Sequence, residues 1–257
     1  MEHLEGQQSI IAAMQARQRR IEVILLAHGV HDDKYTDLLD LAGQLGVPLR
    51  RVDRKELDAL AHGSSHGGVI AICSPKPRLT VPQLGDLLDS LQGPPLMLLI
   101  EGVEDARNLG FILRSAEAMG VHAVLIKKHL WEFDAIEIAR PASGAYERLP
   151  LVQIDEVAPL RALQARGLKL FGCLAGARCT MYDVDLTEPA ILALGGEKRG
   201  LSGAVREICD TFITIPSVGG PSSLSLSHAA AIVTAEAFRQ RRPRPRQPVS
   251  GTQTPGE

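Results

Sequence analysis

The polar residues whose types and spacing could support chemistry fall in three stretches of the chain. The first is EGVEDARNLGFILRSAEAMG, in which Asn108 and Gly110 form a polar turn after an apolar run and Arg114 follows one helical turn later. In an open α/β sheet, the loop beyond a strand's carboxyl end is where ligands usually bind. The second is GGEKRGLS, residues 195–202, where Glu197 lies between glycines and two cations. The third is PSVGGPSSLSLS, residues 216–227. Glycines let backbone approach a ligand closely, so such loops can hydrogen-bond an adenine or ribose edge. Each residue also has a structural reading. Asn108 can cap a helix, Arg114 can lie along a solvated face, and Glu197 can close its loop against Lys198 or Arg199.

Other chemistries find less support. The second half of the chain has no GxGxxG after its first strand, no GxxxxGK[ST] and no GxSxG, which removes from that half the usual warrants for a nicotinamide, nucleoside-triphosphate or hydrolase site. His62 and His66 are four apart, and His28 and His31 three apart. An HxxxH pair needs a helix to bring both rings to one face, and glycines at 63, 67 and 68 oppose one. We therefore assign these histidines to loops and expect no metal.

The elements that must position the three stretches follow from periodicity. A helix over 7–19, a strand over Ile21–Ala27, an amphipathic helix through Leu38, Leu41 and Leu45 stopped by Gly46, a strand in PLRRVD, a helix over 54–60 and a strand over Val69–Cys73 make a small alternating α/β domain spanning 6–74. Residues 75–95 have proline pairs at both ends and one short amphipathic helix between them, the composition of a semi-extended linker. The second domain, 96–242, opens with LMLLIEG, a continuous apolar run of the kind buried on both faces of a parallel sheet. Further strands are expected at 122–126, before Ile154, in LKLFGCLAG, ILALGG and TFITIP, and a long helix in SLSHAAAIVTAEAFRQRR presents Ala230, Val233, Ala237 and Phe238 near one face. Strands alternating with helices imply an α/β fold with a mainly parallel sheet covered on both sides. The proline-rich segment 243–257 cannot bury a core and is expected to be disordered.

Composition sets outer bounds. With 257 residues and 45% hydrophobic content, two domains can each bury a core. A net charge of -2 advertises no global basic field, so any nucleic-acid surface must be a local patch. Four cysteines without a CxxC suit reduced thiols. No apolar run approaches the roughly 20 residues of a membrane-spanning helix, and a cytoplasmic protein is expected.

Taken together in this order, NLGFILRSAEAMG, LALGGEKRGLS and IPSVGGPSSLSLSHAAAI resemble the SpoU or TrmH family of RNA ribose 2'-O-methyltransferases, and the likeness runs from Leu96 to Arg241 through ASGAYERLP. SHGGVIA in the first domain is similar to the HQGVVA that closes a ribosomal-protein-like RNA-binding domain found ahead of many members, notably the bacterial ribosomal RNA enzymes. The resemblance implies a trefoil-knotted α/β domain that binds S-adenosylmethionine, with Gly195, Ile215 and Leu224 at the positions of its contacts. It also implies a homodimer, and an isologous one could bring Asn108 or Arg114 of one chain near the other chain's cofactor. The implied substrate is structured RNA, ribosomal ahead of transfer RNA. Arg50, Arg51 and Arg54 of the first domain are candidate phosphate contacts or a solvated face.

By the same resemblance, Asn108, Arg114, Glu197 and Ser223 match the polar residues of the active centre. The implied reaction moves a methyl group in line from a sulfonium to a ribose hydroxyl, which loses a proton, and no metal is needed. The family's arginine is often assigned the base. A guanidinium is effectively always protonated, so Arg114 is better suited to gathering a substrate phosphate and stabilising the alkoxide as it forms. The chain departs from the family at Ser225, where an asparagine is usual, and at Arg140 and Pro141, where a lysine or similar residue is common. Ser225 keeps open an alternative: an RNA-binding or ribosome-assembly protein that retains the fold with little methyl transfer.

Overall fold

A computed structural model describes residues 1–62, 66–218 and 224–242. The expected tail, 243–257, and Ser223 lie outside the described residues. Two sheets organise the rest, one of four strands and one of seven.

The smaller sheet has the order β1-β4-β2-β3, formed by β1 (Glu2–Glu5), β2 (Ile21–Ala27), β3 (Leu49–Val52) and β4 (Val69–Cys73). Strand β2 pairs parallel with β3, whereas β4 runs antiparallel to both β1 and β2. Its helices are α1 (Gln7–Ala16), α2 (Thr36–Leu45) and α3 (Arg54–Leu60), and α2 ends where Gly46 turns left-handed at φ 66°. Strand β1 lies ahead of residue 6 and escaped sequence reading because four residues rich in charge show no apolar period. His66 has a loop role. Gly68 N donates to its Nδ1 at 3.1 Å, which leaves Nε2 to donate to Asp58 Oδ1 at 2.8 Å.

Segment 75–95 is folded rather than extended. Helix α4 (Val81–Ser90) begins with a capping box between Thr80 and Gln83 and buries Leu84 and Leu88 against the larger sheet, while Leu79 bridges to Val152. The larger sheet comprises β5 (Leu96–Ile100), β6 (Ala123–Ile126), β7 (Leu151–Gln153), β8 (Lys169–Cys173), β9 (Cys179–Thr180), β10 (Ala190–Leu194) and β11 (Thr211–Thr214). Its order is β7-β6-β5-β10-β8-β11-β9 and every pairing is parallel. All five residues of both β5 and β10 are buried. Alternation sorts them: Leu96, Leu98 and Ile100 face one core, Met97 and Leu99 the other. The first core is covered by α5 (Ala106–Ala118), α6 (Ala135–Ala142) and α10 (Leu226–Arg241), the second by α4, α8 (Ala158–Ala165) and α9 (Gly203–Ile208), with the short helix α7 (Ala145–Arg148) following α6. Along α10, Ala230, Val233 and Ala237 are buried as expected, but Phe238 is 42% exposed.

Asn108 and Gly110 belong to α5, not to a turn before it. Asp105 is the cap, accepting from Arg107 N at 2.8 Å, so the helix starts earlier than the polar composition indicated. Gly110 is required by packing, since a Cβ there would lie 2.4 Å from Ile138 O and Pro141 Cγ of α6.

The two sheets are joined by buried charge. Arg19 Nε donates to Glu147 Oε2 at 2.8 Å and Nη2 donates to Oε1, a bidentate fork, while Nη1 reaches Glu2 Oε2 at 2.7 Å. The side chains of Arg19 and Glu147 are 1% and 2% exposed. Burial disfavours the guanidinium, but its hydrogen bonds and charge pairing with Glu147 more than offset this and raise its pKa. Arg140 pairs with Glu5 of β1 at 2.9 Å, which gives this departure from the family's usual lysine a structural role between the two sheets. Removing one partner of such a pair strands a buried charge. Arg19→Met is therefore expected to destabilise the chain by about 3–5 kcal/mol in urea denaturation; a loss under about 1 kcal/mol would contradict this role.

Lys76, beside the same pair, donates to the Glu147 carbonyl at 3.2 Å. Burial pushes its pKa down to about 8, against the opposing charge of Glu147, from 10.5. Between those values the unfolded chain holds the extra proton, so this group adds stability as pH rises. The stability difference between wild type and Lys76→Met should move toward wild type from pH 8 to 10.5, and a flat difference would contradict the burial penalty.

Candidate active site

Strands β5 and β10 are neighbours at the centre of the sheet, and their chains leave in opposite directions, β5 toward β6 and β10 toward β11. Such a divergence opens a crevice at the strands' carboxyl ends. There the loops after β5 and β10 meet backbone to backbone. A Cβ on Gly102 would lie 2.9 Å from Gly196 Cα, and one on Gly196 would lie 2.9 Å from Gly102 O. The β10 loop folds back on itself, with Gly200 N donating to Gly196 O at 2.8 Å. Gly195 sits inside this hairpin, where a Cβ would approach Gly200 C to 1.9 Å.

Three elements converge on the crevice. From the β10 loop, Glu197 Oε1 accepts from Leu226 N at 3.0 Å, satisfying a first-turn amide of α10. Glu197 thus anchors α10 rather than closing its own loop; Lys198 pairs instead with Glu104 at 2.6 Å. From α5, Asn108 Oδ1 accepts from Ser227 Oγ at 3.3 Å. Capping by Asp105 frees Asn108 to make this cross-helix contact. From α10, Ser225 is the cap, its Oγ accepting from His228 N at 3.4 Å. Gly102, Val103, Glu104, Asn108, Glu197 and Leu226 line a small cleft at this junction.

Arg114 is not brought to this cluster within the chain. Six residues beyond Asn108 correspond to roughly 240° of helix and about 9 Å of rise, and Arg114 emerges exposed. No hydrogen bond or ion pair engages its guanidinium among the described residues. Of the expected cofactor positions, Gly195 follows β10, Ile215 follows β11 half-buried against the core, and Leu224, just ahead of α10, is 44% exposed.

A second, larger cleft of about 600 Å³ shares the 102–104 wall and includes Glu101, Lys127, His129, Lys198, Arg199 and Ser202. Its size falls in the range of small-molecule sites, about 300–1,000 Å³. Glu101 is 9% exposed; its Oε2 accepts from Ser202 N at 2.7 Å, its Oε1 from Ser202 Oγ at 2.9 Å, and Lys127 Nζ lies 3.2 Å from Oε1. Sequence reading missed this trio. A carboxylate directly after the apolar run LMLLI was the available signal. It also missed His228, hidden in an alanine-rich helix. In the smaller domain, Arg50 pairs with Glu56, and Arg51 with Asp32 and the carbonyls of Ala27 and Val30. Arg54 has no hydrogen bond or ion pair among the described residues, so of the three it is best free to meet a phosphate.

Comparison with known proteins matches both parts of the chain. The SpoU rRNA Methylase family pattern covers residues 95–235, and the pattern described as RNA 2'-O ribose methyltransferase substrate binding covers residues 3–79. The chain is 37% identical over 243 residues to the 23S rRNA (guanosine-2'-O-)-methyltransferase RlmB of Pseudomonas aeruginosa, spanning 94% of this chain and 98% of that protein. The RlmB of Pseudomonas syringae pv. tomato is 36% identical over 242 residues, 94% of this chain and 96% of that protein. Among solved structures, the SpoU methyltransferase AviRb from Streptomyces viridochromogenes is similar in fold, with a TM-score of 0.78 at 25% identity over 93% of this chain and 89% of that one. The same protein in complex with AdoMet gives a TM-score of 0.79 at 24% identity, with the same coverage of both chains.

The hairpin at Gly195 yields a direct test. Gly195→Ala forces a methyl group into backbone, so the hairpin must open; S-adenosylmethionine affinity by isothermal calorimetry should fall at least about tenfold with the circular dichroism spectrum retained. An unchanged affinity would show that the hairpin's shape is irrelevant to the ligand.

Proposed function

The chain belongs to the SpoU rRNA methylase family, and from that premise we propose how its site works and which RNA it modifies. It is an S-adenosylmethionine-dependent methyltransferase acting on a ribose 2'-hydroxyl of ribosomal RNA. The finer assignment is our own: the target is a guanosine of 23S rRNA. That reading is supported by relatives so named, which match 94% of this chain, its substrate-binding part included.

The observation that carries the site assignment is the meeting of Asn108, Glu197 and the first turn of α10 beside a glycine hairpin with no room for a Cβ at Gly195 or Gly196. The hairpin presents bare backbone at Gly196 and Gly200 to the larger cleft, a surface suited to an adenosyl group. Gly195, Ile215 and Leu224 are our proposed cofactor contacts. When bound, S-adenosylmethionine supplies an already activated methyl group, so the protein's task is alignment and charge stabilisation.

Asn108, Arg114, Glu197 and Ser223 are the proposed catalytic residues. Glu197 fixes the start of α10 through Leu226 N and so sets the height of that helix against α5. Asn108 offers an amide to the acceptor ribose on the same side. Arg114 gathers an RNA phosphate and stabilises the forming alkoxide. Because it faces away from Asn108, its contribution is proposed to go to a partner's site in an isologous homodimer. Phe111, 48% exposed on the same helix face, and Phe238, 42% exposed on α10, support such an interface. A trefoil-knotted path and a cytoplasmic location complete the reading.

Ser225 favours transfer over the binding-only alternative, since it performs the helix-capping task itself and leaves α10 anchored without the usual asparagine. In a transfer assay with 23S rRNA, Arg114→Lys should lower kcat at least about tenfold while leaving cofactor affinity unchanged, because a lysine lacks the planar fork. Near-full activity in this variant would remove Arg114 from the mechanism. Absence of transfer by the wild type would return the chain to the binding-only reading.

A further inference from the structure

We infer that His228 is the general base that takes the proton from the acceptor 2'-hydroxyl, held in position by Ser225; this rests on the methyl-transfer reading above. Among the described residues, the carboxylates around the junction of α5, α10 and the β10 loop already have partners. Glu197 is committed to Leu226 N, Glu101 to Ser202 and Lys127, and Glu104 to Lys198. A guanidinium offers hydrogen-bond donors and no acceptor.

His228 lies on the first turn of α10, exposed. Its Nδ1 is 2.5 Å from Ser225 Oγ, Ser225 Oγ is 3.0 Å from Ser227 Oγ, and Ser227 Oγ donates to Asn108 Oδ1 at 3.3 Å. With Asn108 Oδ1 accepting at the far end, one assignment uses each hydrogen once. Ser227 donates to Asn108, Ser225 donates to Ser227, and His228 Nδ1–H donates to Ser225. Ser225 Oγ then accepts from both Nδ1–H and the His228 backbone amide, filling its hydrogen-bonding capacity. This tautomer leaves the Nε2 lone pair free, and no described group occupies it. A base whose far nitrogen is oriented by a third group, with its near nitrogen open to substrate, is the arrangement nucleophile-activating histidines require. The departure at Ser225 then acquires a purpose, because a hydroxyl fits the short reach to His228 Nδ1 and an asparagine amide is longer.

The proton balance closes. The O–C bond to the methyl group forms as the carbon–sulfur bond breaks with its electron pair left on sulfur, and the hydroxyl proton passes to Nε2. The positive charge thus leaves the sulfonium and ends on the imidazolium, with no oxidant, metal or further reactant. Ser225 is the positioning residue and His228 the group that meets the substrate.

Two measurements test this on the full-length protein, after wild-type transfer to 23S rRNA has been recorded so that failure of the functional reading is seen separately. In the first, His228→Ala and His228→Gln should each lower kcat by about 10²–10⁴-fold with cofactor affinity within about twofold of wild type, and added imidazole should restore part of the rate to His228→Ala. A kcat within about threefold of wild type, or a loss of cofactor binding that makes the histidine structural, overturns the proposal. In the second, nitrogen-15 NMR of histidine-labelled protein without cofactor should show His228 in the Nδ1–H tautomer, shifting toward Nε2–H in Ser225→Ala. An Nε2–H tautomer in the wild type also overturns it.

Discussion

The backbone contact between Gly102 and Gly196 is the constraint on which the candidate site depends. Parallel strands at the middle of a sheet end about 4.8 Å apart, and side chains on the following loops would ordinarily push those loops away from each other. Here neither loop has room for a Cβ at the contact, so the two chains stay together past the ends of β5 and β10 before diverging. That closeness lets Glu197, on one loop, and Asn108, on the helix fed by the other, address the same turn of α10. A methyl group at either glycine would separate the parts of the site without touching any of its polar residues.

The start of α10 serves stability and, in the proposed reading, chemistry. Four amides at a helix N-terminus lack partners within the helix; here Glu197 takes one and Ser225 another. Either cap alone is an ordinary stabilising contact, worth about 1 kcal/mol. Their combination fixes the register of α10 against α5 and aligns Ser225, Ser227 and His228 with Asn108. The Arg19–Glu147 fork holds the smaller sheet's domain against α7, so the two sheets are mounted on each other through buried charge rather than strung on a loose spacer.

Most of the architecture was readable from the apolar periods. LMLLI and AILAL are continuous because both faces of β5 and β10 are covered, and Gly46 marked the end of α2 as a left-handed cap should. What resisted reading shares a cause: β1, β9 and α9 are short, and their stability comes from tertiary neighbours rather than local pattern. Segment 75–95 read as a linker because its prolines are conspicuous, whereas Leu84 and Leu88 determine where it packs. For the candidate site, the motifs pointed to Asn108 and Glu197 but not to what they hold. The partner of Glu197 is a backbone amide 29 residues away, and no sequence spacing encodes such a contact. Ser223 lies outside the described residues, and its role rests on the motif alone.

The central claim is that this edge of the sheet methylates one ribose of 23S rRNA. It is tested most directly by mapping 2'-O-methylated nucleotides by mass spectrometry in ribosomal RNA from cells with and without the gene. The account predicts that a single 2'-O-methylguanosine of 23S rRNA disappears on deletion and returns when the intact gene is restored. An unchanged methylation map would contradict it.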